Sequence, residues 1–195
     1  MEIRRLQQQN IQEALAVVCR VYQEQLEPRI QEEEARKAFY ESIREDDVIQ
    51  KVESGQLLMY GMFFREQIIG VAAMTESAHL VMLYVLPQYQ RRGFGKALLE
   101  ELRYSAYENG KHPLLTVNVI PTWMSGYFLK RKFRYTNLGS SQPLWYVPME
   151  RDTEKLPRYQ KRKVDPGIIL GLSLGTMAVA VLLIVGYLYK MFFFS

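Results

Sequence analysis

Leu83-Tyr84-Val85-Leu86-Pro87-Gln88-Tyr89-Gln90-Arg91-Arg92-Gly93-Phe94-Gly95-Lys96 is the stretch that decides the fold. It reads as a strand that stops at a proline and enters a helix through a basic turn bearing two glycines. Without side chains at Gly93 and Gly95 the backbone can come close to a phosphate. The helix N-terminus beyond offers unpaired N–H donors and the positive end of its dipole. Arg91, Arg92 and Lys96 add mobile positive charge. The stretch therefore predicts a cradle for a pyrophosphate. A bare Gly-x-Gly also occurs in ordinary solvated turns, so the flanking sequence has to carry the argument.

Upstream, Ile3 to Leu6 reads as a short strand, and Asn10-Ile11-Gln12-Glu13 as a helix cap with an acid three residues on. A helix follows to about Glu24, its apolar residues Ile11, Leu15, Val18, Cys19 and Tyr22 recurring at helical spacing. Pro28 interrupts it. A second helical region is expected from about Gln31 to Glu53, with Ala35, Phe39 and Ile43 inward and Glu32, Glu33 and Glu34 on a solvated face. Gln56 to Phe64, Ile68 to Thr75 and Leu80 to Leu86 read as an antiparallel meander joined by short turns. Downstream, Lys96 to Tyr107 is an amphipathic helix closed by Asn109-Gly110, and Leu114 to Ile120 is a strand.

From Ala78 onward, Ala-His-Leu-Val-Met-Leu-Tyr-Val-Leu-Pro-Gln-Tyr-Gln-Arg-Arg-Gly-Phe-Gly resembles the acyl-CoA-binding motif of the GNAT superfamily of N-acetyltransferases. Leu83, Val85, Pro87, Gln90, Gly93 and Gly95 each satisfy the family pattern. The likeness continues through Val117-Asn118, a short helix, Phe133 at the start of a strand, and a closing strand over Leu144 to Glu150. It covers residues 1 to about 150. The resemblance implies an α/β (α+β) GNAT acyl-CoA N-acyltransferase fold, a mixed central sheet flanked by helices, with the strand at 114–120 parallel to the cradle strand. These two strands would splay, and the pantetheine arm would insert between them, bonding to the backbone near Leu83 and Val85. It implies acetyl-CoA as co-substrate, no metal, and coenzyme contacts from Gln90, Arg91, Arg92, Gly93, Phe94, Gly95, Lys96 and Asn118.

Acetylation of an amine needs a base for the ammonium proton and a way to stabilise or protonate the departing thiolate. By resemblance, His79 stands where the histone-acetylating branch carries a glutamate, and an imidazole titrating near neutrality suits a base. Glu76 in the neighbouring turn competes for that role. On the acid side, alignment on Phe133 puts Phe128 where many family members carry a tyrosine, and a phenyl ring cannot donate. Tyr127 is adjacent but about 100° around a helix, so it serves only if that helix is rotated or shifted. Pro121 replaces an asparagine often found at the start of this helix, which weakens one expected coenzyme contact.

Charge divides the chain. Residues 1 to 150 hold 18 basic and 18 acidic side chains, while residues 151 to 195 hold 7 and 3, so the whole formal charge of +4 sits in the last segment. A neutral domain argues against nucleic-acid binding, which needs clustered excess cation. Residues 1 to 90 carry 9 basic and 14 acidic groups, and residues 91 to 150 carry 9 and 4. The acidic half includes the first two helices, which in the family line the acceptor groove, so a cationic amine is expected there, with Glu24 and Glu27 as its contacts. The lone Cys19 excludes an intramolecular disulfide and reads as a small core residue.

Gly167 to Tyr189 contains 23 residues without a charge, roughly 34 Å as a helix against a bilayer core of about 30 Å. A transmembrane helix is expected, after a basic juxtamembrane linker at 151–166 and before a short tail at 190–195. Arg151, Lys155, Arg158, Lys161, Arg162 and Lys163 precede the span and only Lys190 follows it, which places the domain in the cytoplasm by the positive-inside rule. Met1-Glu2-Ile3-Arg4-Arg5 does not open a signal peptide, so a tail anchor in the lipid bilayer is expected. Gly167, Gly171 and Gly175 form a stripe suited to close helix pairing, and hence to a homodimer.

The reading that unites these features is a membrane-tethered N-acetyltransferase using direct attack in a ternary complex. A non-catalytic acyl-CoA-binding sensor, favoured by Phe128 and Pro121, is the alternative, and a purely structural anchor would leave the cradle idle.

Overall fold

The structure, a computed structural model, describes residues 1–136 and 146–153. It begins with a strand, β1 (Glu2–Arg5), and a helix, α1 (Gln8–Val21). The helix starts earlier than the sequence suggests. Asn10 is not its cap: it lies in the first turn, and its side-chain oxygen accepts the Gln7 N–H at 3.2 Å. The α1 ladder then widens into a π-helical turn at Tyr22–Leu26 and tightens into a 3-10 turn at Glu27–Arg29 around Pro28. Such a π-turn often marks a functional site.

The expected single helix over 31–53 is two helices, α2 (Glu33–Ser42) and α3 (Glu45–Glu53). Arg44 is extended, and Glu45, Asp46 and Asp47 crowd the first turn of α3, where acids complement the helix dipole.

The meander is present as β2 (Leu57–Phe64), β3 (Gln67–Thr75) and β4 (His79–Val85), each antiparallel to its predecessor. After the basic turn comes α4 (Phe94–Gly110), longer at both ends than expected, with Lys111 and not a glycine taking the left-handed closing position. The chain continues as β5 (Leu114–Val119), a 3-10 turn at Thr122–Met124, α5 (Ser125–Leu129), β6 (Arg134–Tyr135) and β7 (Val147–Asp152). Arg151 and Asp152, the first two residues of the expected linker at 151–166, belong to β7; that linker beyond Thr153, the apolar run at 167–189 with Gly167, Gly171 and Gly175, and the tail at 190–195 lie outside the described residues. No helix among the described residues is long and apolar enough to cross a membrane.

The strands form one seven-stranded mixed sheet in the order β1-β2-β3-β4-β5-β7-β6. Only the β4–β5 neighbours run parallel, and their pairing is confined to His79 with Thr116 and Leu80 with Val117. Helices cover both faces. On one, Tyr22 stacks on Phe39 of α2, and Phe39 meets Tyr84 of β4 edge-on. On the other, α4 buries Leu98, Leu99 and Leu102 completely, each worth about 1.5–3 kcal/mol of transfer free energy.

A buried ionic clasp ties α4 to β7. Glu100 accepts from Arg103 Nε and from the Arg151 guanidinium, both at 2.8 Å. Burial opposes the Glu100 charge, but the Arg151 and Arg103 guanidiniums more than offset it and hold the carboxyl below its ordinary range.

Candidate active site

The site is built on an irregularity in β4. Ala73 pairs with Met82 and Met74 with Leu80, which leaves Val81 as an extra residue on β4. A bulge of this kind re-aims the strand beyond it. Past the bulge, the Leu86 N–H donates to the Ile69 carbonyl at 2.9 Å, so Met82 and Tyr84 point their backbone groups at β3. By alternation, those of Leu83 and Val85 point the other way, toward β5. The same logic applies to β5: the Thr116 N–H reaches the Ala78 carbonyl at 3.0 Å, so Asn118, two residues on, faces β4. Since pairing stops at Leu80 and Val117, these edges diverge and leave a wedge-shaped gap in the sheet.

A cleft of about 760 Å³ occupies the gap. Side chains alternate across it. Val85 Cγ2 lies beside Gly95 of α4, whereas Tyr84 meets α2. The cleft thus opens to both faces of the sheet, with Leu83, Val85 and Tyr127 on the α4 face and Glu24, Leu26 and Arg29 on the α1 face.

At the mouth stands the cradle. Gly93 has φ of 85°, a left-handed conformation, and a Cβ there would meet nothing within 4 Å. The Gly93 carbonyl accepts the Ala97 N–H at 2.9 Å, so α4 begins there with the N–H groups of Phe94, Gly95 and Lys96 outside its ladder. Arg91 is also left-handed, with φ of 58°, and it lines the cleft with Lys96. Gln90 fixes the loop: its amide nitrogen lies 2.8 Å from the Val85 carbonyl and 2.8 Å from Gln25 Oε1 in the π-turn.

Leu83, Val85, Gln90, Arg91, Gly93, Phe94, Gly95, Lys96 and Asn118 all line the cleft, and Arg92 does not. Tyr127 lines it too. Its ring carries the Arg131 guanidinium at 3.3 Å from the centroid, and its hydroxyl is buried, without a hydrogen-bond partner among the described residues, and turned toward Gly95. Burial raises the phenol pKa against the opposing pull of Arg131. Phe128 packs edge-on against Phe133, with centroids 5.3 Å apart. The Phe128 ring is thus turned to Phe133, and the hydroxyl beside Gly95 belongs to its neighbour Tyr127.

His79 and Glu76 stand apart from the cleft wall. His79 lies one residue beyond its floor at Leu80, with Nδ1 2.8 Å from Thr116 Oγ1, and burial lowers its pKa. Glu76 is exposed in the β3–β4 turn. Glu24 lines the cleft but is held by Arg20 at 2.9 Å, and Glu27 lies outside it, accepting the Tyr40 hydroxyl at 2.8 Å. Sequence reasoning missed Arg29, Tyr84, Trp123 and Arg131, all in the cleft wall. Strict alternation about Leu83 and Val85 would have put Tyr84 on the opposite face; nothing in the sequence marks Arg29 or Trp123. Among the described residues no cluster of three His, Cys, Asp or Glu side chains is placed to hold a metal ion.

A splayed parallel pair with a glycine cradle at its mouth defines an acyl-CoA-binding architecture, and the comparisons agree. Residues 22–152 match the model of the acetyltransferase (GNAT) domain, and the chain belongs to that family. Among solved structures it is similar to the PaiA N-acetyltransferase of Thermoplasma acidophilum in complex with coenzyme A, at 19% identity and a TM-score of 0.63, covering 77% of this chain and 98% of that one. A GCN5-related N-acetyltransferase of Rhodopseudomonas palustris gives 21%, 0.62, 77% and 94% in the same order. The ribosomal-protein-alanine N-acetyltransferase of Brucella melitensis gives 19%, 0.54, 78% and 99%. At these identities the superpositions show a shared fold. No curated protein matches the chain by sequence.

Proposed function

We propose that this chain transfers an acetyl group from acetyl-CoA to a primary amine, by direct attack in a ternary complex, while tethered to a membrane. The observation that carries the reading is the gap between β4 and β5, with backbone groups of Leu83, Val85 and Asn118 facing it and the Gly93–Lys96 cradle at its mouth. The cradle N–H groups, Arg91 and Lys96 would hold the pyrophosphate, and the strand edges would align the pantetheine arm. Attack from the α1 face forms the C–N bond and expels the thiolate on the α4 face. Tyr127, a phenol whose pKa burial pushes further up, would give that sulfur its proton. His79, kept neutral by burial, is the candidate for the ammonium proton, reached through water at the cleft floor, and the exposed Glu76 is the weaker one. The chain's single cysteine, Cys19, does not line the cleft, so a covalent acyl-enzyme has no carrier there.

The uncharged run at 167–189 would be the anchor, the basic linker before it would keep the domain on the cytoplasmic side, and the Gly167, Gly171 and Gly175 stripe would pair two copies. The tether would raise the local concentration of membrane-associated acceptors.

Calorimetric titration of acetyl-CoA into the full chain in detergent, followed by thiol release on adding amines, tests the reading. Micromolar binding with release is expected. Binding without release from any amine favours the sensor, and absence of binding overturns the assignment of the cradle.

A further inference from the structure

The charge of the cleft wall bears on the acceptor. Four cations line it, Arg29, Arg91, Lys96 and Arg131, against the single carboxylate of Glu24. That carboxylate is paired with Arg20 at 2.9 Å, so among the described residues the wall carries an excess of cation. Three of the cations belong to the coenzyme side. Arg91 and Lys96 are in the cradle, and Arg131 sits over the Tyr127 ring, whose hydroxyl abuts Gly95.

Arg29 is different. It ends the 3-10 turn that follows the π-turn of α1, on the face opposite α4, and its guanidinium sits over the Trp123 ring at 5.8 Å from the centroid. Trp123 belongs to the connection after β5, so the pair spans the two lips of the gap. Trp123 is half exposed, at 50%. Among the described residues Arg29 makes no other polar contact, so nothing neutralises it. A guanidinium orientated by an aromatic face, with its fork of donors free, is suited to a carboxylate or a phosphate oxygen pair.

We propose that the acceptor is a primary amine that also carries an anionic group, carboxylate or phosphate, and that Arg29, backed by Trp123, binds that group at the acceptor mouth of the cleft. The inference rests on the acetyl-transfer reading and narrows its acceptor. It also reverses the expectation of a cationic acceptor drawn from the acidic first half of the chain. The acids there lie on outer surfaces or in pairs, whereas the cleft wall is basic.

The test uses the full chain in detergent, saturated with coenzyme A, and measures binding of β-alanine, phosphoethanolamine, spermidine and propylamine by calorimetry, alongside thiol release from acetyl-CoA. The expected result is binding of β-alanine or phosphoethanolamine in preference to both anion-free amines, the tighter of the two naming the anion. Arg29→Gln should weaken that binding about 10- to 100-fold, with coenzyme A affinity unchanged and Arg29→Lys partly restoring it. Equal or tighter binding of spermidine, no effect of Arg29→Gln, or a loss confined to coenzyme A overturns the proposal. Arg29-dependent binding without thiol release would refute acetyl transfer and leave the binding class standing. Release from anion-free amines alone would do the reverse.

Discussion

Tyr127→Phe should stabilise the free protein and slow its reaction, two effects of opposite sign from one oxygen atom. The hydroxyl is buried beside Gly95 with no hydrogen-bond partner among the described residues, and leaving such a group unsatisfied costs about 1–3 kcal/mol. Removing it while keeping the ring preserves the stack with Arg131 and the edge contact with Phe128. For a domain of this size the gain corresponds to roughly 2–4 °C in Tm for each kcal/mol. The same change deletes the proposed proton donor, and general acids typically contribute about 10²–10⁴ in rate, roughly 3–5 kcal/mol of barrier. Scanning calorimetry and steady-state thiol release read the two effects separately, and the KM for acetyl-CoA should hardly move. Tyr22→Phe is the control: that hydroxyl is also buried and unpartnered but lies outside the cleft wall, so it should stabilise without slowing turnover. A lower Tm for Tyr127→Phe, or an unchanged kcat, would refute the assignment of Tyr127.

Glu100→Gln removes the carboxylate that pairs with buried Arg103 and Arg151 and should cost about 3–5 kcal/mol in urea unfolding, whereas Arg134→Gln, which breaks exposed pairs with Asp152 and Glu150, should cost under about 1 kcal/mol. Because the Glu100 pKa is lowered on folding, its contribution is full above the ordinary carboxyl range and is lost as pH falls through the depressed value; acid titration of Tm in wild type and Glu100→Gln should converge there. If His79 is the base, kcat/KM rises with pH through a pKa below 6.5 and is flat above it, and His79→Gln removes that limb. Gly93→Ala forces a Cβ into a left-handed conformation at φ of 85°, which should cost about 1–2 kcal/mol in stability and weaken coenzyme A binding measured by calorimetry.

Much of the sheet was readable because its signals are local. Pro87, Gly93 and the alternating run before them determine a strand, a stop and a helix start within fourteen residues. The break between α2 and α3 was missed because no glycine or proline marks it; the Glu45-Asp46-Asp47 acid run was the available signal. The orientation of the Tyr127 and Phe128 side chains was not local at all. The rotation of α5 is set by Phe128 packing on Phe133 and by the preceding 3-10 turn, and neither leaves a trace in periodicity. Charge totals are coarse for a related reason: a sum over half a chain does not report which carboxylates face a cleft and which, like Glu27, are occupied elsewhere.

The register between β4 and β5 has a thermodynamic corollary. Among the described residues, strand pairing between the four-stranded and three-stranded parts of the sheet is confined to His79 with Thr116 and Leu80 with Val117. An arm lying between Leu83 and Asn118 would supply rungs that the polypeptide itself does not, so the substrate would act as a surrogate strand. Saturation at a hundredfold excess over Kd would then add about 2.7 kcal/mol to the cohesion of the whole domain. Slowed amide exchange at Leu83, Val85 and Asn118, residues far apart in sequence, would record the two halves becoming one.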